Sequence, residues 1–218
     1  MFIGHFGLAF AAKRATPRVP LVALFAAAQF ADLLWPFFLL AGLEQVRISP
    51  GDTAFTPLDF VSYPYSHSLA MLIVWGVAFG YVYMTTAKAS VKTYIVLAAL
   101  VVSHWILDVA THRPDMPIYP GGPKVGLGLW NSVAGTIAVE VPMFVAGFAI
   151  YMRATRAKDR IGRWAVPGLS GLLFGLYVAN ISSPPPPTVN ALAIAAAVGA
   201  GVIMILTWWA DRHRHRAA

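Results

Sequence analysis

The chain contains no cysteine. This excludes disulfide frameworks, thiolate zinc sites, Fe–S clusters and cysteine nucleophiles, and leaves histidine and carboxylates as the strong metal ligands or bases. Charge is also scarce. Only 11% of the 218 residues are Asp, Glu, Lys or Arg, whereas a soluble domain carries about 25%. With 58% hydrophobic residues and a mean hydropathy of +0.66, the composition excludes an ordinary soluble enzyme and a disordered chain. An all-α integral membrane protein is expected.

A spanning helix needs about 20 mostly apolar residues. Six stretches qualify, at about 20–43, 66–86, 93–112, 130–152, 164–182 and 189–209. They make one transmembrane domain of six spans without an internal repeat. The segment 1–12, MFIGHFGLAFAA, is apolar, but its basic residues Lys13 and Arg14 follow rather than precede it. It is therefore not expected to be a cleavable signal. At 1.5 Å per residue it reaches about 18 Å, too short to span, and reads as a half-helix that enters the bilayer and must be buried among other helices. Gly76/Gly80 and Gly171/Gly175 form GxxxG spacings suited to close helix packing. Pro184 to Pro187 form a stiff external connection.

The net charge of +7 invites an anionic partner, but its distribution points elsewhere. Lys and Arg collect at 13–18, 88–92, 153–163 and 212–216, leaving Arg47, Arg113 and Lys124 at the opposite span ends. By the positive-inside rule both termini are cytoplasmic. The basic excess is a topology signal, and no nucleic-acid partner is expected. The loops at 44–65 and 113–129 then lie outside, where they could cap a cleft.

Of the nine acidic residues, Glu44, Asp52, Asp59 and Asp115 fall in the outer loops, and Asp159 and Asp211 lie among the basic residues. Asp32, Asp108 and Glu140 remain within apolar spans, with His5, His67 and His104 in or beside them. An ionisable group at bilayer depth costs at least about 2.5 kcal/mol and is a functional candidate. Counted from the basic ends, His5 lies about 12 Å deep, His104 about 16 Å, Asp32 about 18 Å and Asp108 about 22 Å, with Glu140 about 15 Å below the outer end of its span. They share a layer. His67 joins it only if its loop dips inward or its helix starts deep.

His104 and Asp108 are four apart in S-H-W-I-L-D, so both project from one helix face as a chelating pair. Unpaired carboxylates in one apolar layer would repel and protonate. A divalent cation held by His5, Asp32, His67, His104, Asp108 and Glu140 would neutralise them. Mixed His and carboxylate ligands suit zinc foremost, with manganese or iron as alternatives, and an open position on such an ion activates water for hydrolysis. Ser66 and Ser68 flank His67, but no G-x-S-x-G elbow supports a serine nucleophile. His112, Arg113 and Lys124 lie near the mouth, as anion contacts or as solvated loop residues.

G-H-F-G at His5, F-A-D-L-L-W-P at Asp32, S-H-S-L at His67 and S-H-W-I-L-D at His104 and Asp108 come in an order that resembles the YdjM-like inner-membrane metal-dependent hydrolases over residues 1–112. The order is also similar to that of zinc-dependent phospholipase C enzymes, in which Glu140 would supply a late acidic ligand. The resemblance implies a multi-span bundle with a His/Asp metal centre and hydrolytic chemistry. Two departures stand out. Leu34 occupies the position of a second aspartate in the first span, and V-S-Y-P-Y-S-H-S replaces an H-R-G-x-T-H-S segment.

The expected function is therefore a membrane metallohydrolase cleaving a phosphoester or similar bond of a lipid-like substrate. Asp32, His67 and Glu140 are its candidate catalytic residues, and membrane lipid is its expected partner. The rival readings are a small proton-coupled permease and a non-catalytic subunit or assembly factor of a membrane complex.

Overall fold

The computed structural model describes residues 1–217. Eight helices make the body: α1 (Ile3–Ala15), α2 (Leu21–Ala28), α3 (Phe30–Leu40), α4 (Leu69–Thr86), α5 (Val91–Thr111), α6 (Val133–Ala154), α7 (Arg160–Ser182) and α8 (Val189–Arg212). The protein is an all-α membrane helical bundle. Helices α4 to α8 are each long and apolar enough to cross a membrane, and the bent pair of α2 and α3 is together long and apolar enough for either a sixth, broken span or a re-entrant loop. Large apolar side chains such as Ile73, Val77, Ile106, Val145, Val198 and Ile205 point outward, as a lipid-facing surface requires.

Local chemistry sets where the long helices begin. Ser68, Ser90, Ser132, Asp159 and Thr188 cap α4 to α8, each side chain accepting the backbone N–H three residues on. Such caps satisfy donors that have no partner inside the helix. The Asp159 cap carries α7 back to Arg160, four residues before the hydropathy boundary expected at 164. At α8 the helix runs on to Arg212, beyond the expected 209.

The stretch expected as a span at 20–43 forms two helices that meet at Gln29 with a 58° bend. Pro36 in α3 lacks the N–H that would bond to the Asp32 carbonyl. Gln29 and Asp32 lie at the start of a new helix deep in the bundle, rather than midway along a straight one.

The half-helix α1 is buried as expected, with Ile3, His5, Phe6, Ala9 and Phe10 inside. Glycine explains how it fits. A Cβ on Gly147 of α6 would lie 1.9 Å from the Gly7 carbonyl oxygen, and one on Gly7 would lie 2.7 Å from the Met143 carbonyl oxygen. The two backbones therefore touch. Phe10 closes the same seam by edge contacts with Phe25, Phe144, Phe148 and Tyr151. Gly76 and Gly80 similarly seat α4 on Ala98 and Tyr94 of α5. The expectation of packing fails for Gly171 and Gly175, which face open space.

At the basic end, Asp211 of α8 draws four elements together. It pairs with Lys13 at 3.3 Å, accepts the Tyr151 hydroxyl at 2.5 Å, and accepts the Leu21 N–H at 2.8 Å. Strands β5 (Thr155–Ala157) and β6 (Arg214–Arg216) pair beside it. At the other end the two long loops fold into small hairpins, β1 (Gln45–Ile48) with β2 (Leu58–Ser62) and β3 (Met116–Pro117) with β4 (Lys124–Val125). Arg113 ties them to the bundle. Its guanidinium reaches Asp52 at 2.5 Å, Asp59, and Asp115 at 3.4 Å.

Candidate metal centre

The centre is built around Asp108, on the last turn of α5. One turn earlier, His104 Nε2 lies 3.1 Å from Asp108 Oδ2, and His5 Nε2 from α1 lies 3.1 Å from Oδ1. The Met1 amino group also reaches Oδ1. The His5 and His104 rings stack in parallel with centroids 3.9 Å apart. His67 approaches through its Nε2, 3.4 Å from Asp32 Oδ1 and 3.9 Å from Asp108 Oδ2. All of these groups except Asp32 are buried; the Asp32 side chain is 43% exposed.

Five of the six expected ligands are therefore brought together. Ligand atoms of His5, His104 and Asp108 lie within 4.8 Å of one another, as do those of Asp32, His67 and His104. This buried His/Asp cluster can bind a metal ion. His67 reaches it because the loop before α4 dips inward, burying Tyr63, Ser66, His67 and Ser68.

Glu140 has a different task. Its Oε2 accepts the N–H groups of Phe2 and Gly4 at 2.8 and 3.1 Å, so the carboxylate holds the N-terminal end of α1. It positions the helix that carries His5 and belongs to neither group of converging ligand atoms.

The histidines are oriented by groups behind them. His104 Nδ1–H donates to the Ala28 carbonyl at 2.8 Å, which leaves the lone pair on Nε2. Despite its 3.1 Å approach to Asp108, His104 Nε2 has no hydrogen bond of acceptable geometry. A buried nitrogen with a free lone pair beside a carboxylate fits a cation better than it fits a salt bridge. His67 is set in the same sense: Ser66 Oγ donates to Glu44 Oε2 at 2.6 Å and accepts from His67 Nδ1 at 2.6 Å. Ser66 thus links Glu44 to the His67 ring. Ser68 caps α4.

Two features were missed in the sequence. His112 is buried, donates through Nδ1 to Asp115 at 2.9 Å, and presents Nε2 to Asp108 Oδ2 at 4.0 Å. It is not a solvated loop residue. The signal was present, since Asp108 and His112 repeat the four-residue spacing of His104 and Asp108. Glu44, placed among loop residues, is buried and also accepts the N–H groups of Tyr65 and Ser66. No local pattern marks it, because its partners lie more than twenty positions away.

Electrostatics around the mouth follow from burial and pairing. Burial holds His112 below the ordinary histidine pKa against the pull of Asp115. Burial, reinforced by Asp115, raises the Tyr63 phenol well above its ordinary range while its hydroxyl donates to that carboxylate at 2.6 Å. Desolvation lowers the pKa of Arg113, but Asp52, Asp59 and Asp115 outweigh it and raise the group above its usual value. Arg113 is thus engaged by three carboxylates, and Lys124 donates to the Val61 carbonyl at 2.8 Å. Comparison of the chain with protein-family models, with curated proteins and with solved structures found no match in any of the three.

Proposed function

We propose that this membrane protein is a metal-dependent hydrolase acting on a phosphoester or similar bond of a lipid-like substrate, as the YdjM-like resemblance implies. The observation that carries the reading is the convergence of oriented imidazole nitrogens on Asp108 in a buried cluster. His5, Asp32, His67, His104 and Asp108 would hold the ion, with zinc the expected metal and manganese or iron the alternatives. When bound, such an ion supplies Lewis-acid activation of water and of the bond to be cleaved.

The chain's own residues divide the remaining work. Asp32 is the half-open member at the edge of the cluster, and as a candidate catalytic residue it would meet the incoming substrate first. The Glu44–Ser66 pair keeps the His67 ring in one tautomer, and Ala28 does the same for His104. Glu140 acts as a positioning residue through α1. The basic-end charge asymmetry supports insertion in a bacterial-type inner membrane with both termini cytoplasmic.

The test is metal content by mass spectrometry on detergent-purified protein, wild type beside His104→Ala and Asp108→Asn, followed by a phospholipid and phosphoester screen. About one or more equivalents of metal in the wild type, lost in folded variants, together with turnover, supports the reading. No metal after add-back to the wild type overturns it.

A further inference from the structure

Helices α7 and α8 carry no acidic, basic or histidine residue toward the centre of the bundle, yet one cavity gives them a role. About 470 Å³ in volume, it lies between the α2–α3 break and the pair α7 and α8. That is within the size range of ligand sites, roughly 300–1,000 Å³. The space exists because α8 presents Ala195, Ala196, Gly199 and Ala200 to it. A Cβ built on Gly199 meets nothing within 4 Å. The stretch of α8 that borders the cavity, Leu192 to Met204, is about 18 Å long.

The opposite wall is polar where the broken helix turns. Gln29, at the 58° bend, is 5% exposed, and its Oε1 lines up with no hydrogen-bond partner. A buried amide oxygen left unpaired costs about 1–3 kcal/mol, so its retention beside a cavity calls for a donor from outside the chain. Asp32 borders the same space and is the half-open member of the metal cluster. One wall thus suits a polar group beside the cluster, and the other suits hydrocarbon.

We propose that this cavity binds a single membrane lipid, its hydrocarbon lying along α7 and α8 and its polar portion meeting Gln29 and Asp32. The lipid enters from the bilayer, since α7 and α8 are themselves spanning helices. This rests on the hydrolase reading and deepens it, naming an acyl-chain amphiphile as the substrate class. A soluble metabolite would leave the apolar wall wet, and a polypeptide would bring backbone groups for which that wall has no partners.

The test uses the full chain in nanodiscs containing a phosphatidylethanolamine with a terminal diazirine on one acyl chain. After irradiation, labelled positions are mapped by peptide mass spectrometry. Labelling of Leu176, Leu192 and Met204 above the lipid-facing Val198, Val202 and Ile205 is expected. Gly199→Phe, at a position where an added Cβ meets nothing within 4 Å, places a ring toward the cavity and should reduce the cavity labels to the lipid-facing level while leaving Ile205 labelled. Ala195→Leu, a smaller change, should reduce them in part. Cavity labels no stronger than those on the lipid face, or unchanged in both folded variants, overturn the proposal. Metal content measured on the same samples separates the two readings. Cavity labelling in protein that binds no metal supports the lipid site while the hydrolase reading falls, and metal without cavity labelling overturns the lipid site alone.

Discussion

His104 Nε2 lies 3.1 Å from Asp108 Oδ2 while the other ring nitrogen, Nδ1, donates to the Ala28 carbonyl at 2.8 Å. The i, i+4 pair therefore sets an imidazole nitrogen and a carboxylate side by side, an arrangement suited to a chelate.

The Glu44–Ser66–His67 chain makes the first prediction. Removing the group behind a ligating histidine typically weakens metal affinity about 10–100-fold. Ser66→Ala and Glu44→Gln should each fall in that range by competition with a fluorescent zinc chelator. Glu44→Gln should fall less, since Ser66 can still accept from His67 Nδ1. Unchanged affinity in both would remove His67 from the ligand set.

His112, although outside the two groups of converging ligand atoms, is expected to support the centre from beside Asp108. Its Nε2 faces Asp108 Oδ2 at 4.0 Å, behind an Asp115 hydrogen bond. His112→Asn is expected to lower metal affinity without changing the helical signal in circular dichroism. Full affinity with an intact fold would return His112 to a purely structural role under the loop hairpins.

The α1–α6 contact leaves no room for a methyl group. Gly147→Ala places a Cβ against the Gly7 carbonyl, and overpacking of this kind costs about 1–3 kcal/mol. Thermal unfolding in detergent should show the loss. Because α1 carries His5, metal affinity should drop in the same variant, whereas Gly171→Ala, facing open space inside α7, should lower neither.

At the basic end, the Gly162 N–H and then His213 hold the Asp159 carboxyl below its ordinary pKa. A carboxyl with a depressed folded pKa contributes stability above its unfolded value, and that contribution is lost as pH falls through the folded one. The advantage of wild type over Asp159→Ala in melting temperature should therefore be full at neutral pH and shrink below about pH 4. An advantage constant with pH would show that the N-cap acts without its charge.

What the sequence determined by itself was local. Long apolar runs specify spanning helices because a backbone in lipid must bond within its own segment. The four-residue spacing of His104 and Asp108 needs only helical periodicity to place them together. The His and Asp residues of the centre were identifiable because charge inside an apolar run stands out. Tertiary structure decided what depends on residues far apart in the chain. The bend at Gln29 turns a uniform hydrophobic run into two helices, with no composition change to announce it. The inward dip at His67 rests on Glu44, more than twenty residues upstream. Glu140 meets the backbone N–H groups of Phe2 and Gly4 because α6 lies against α1, a pairing set by Gly7 and Gly147 at a separation no periodicity reports. Depth along a helix can be counted from sequence, but which buried carboxylate meets a histidine and which meets a backbone N–H depends on how the helices pack.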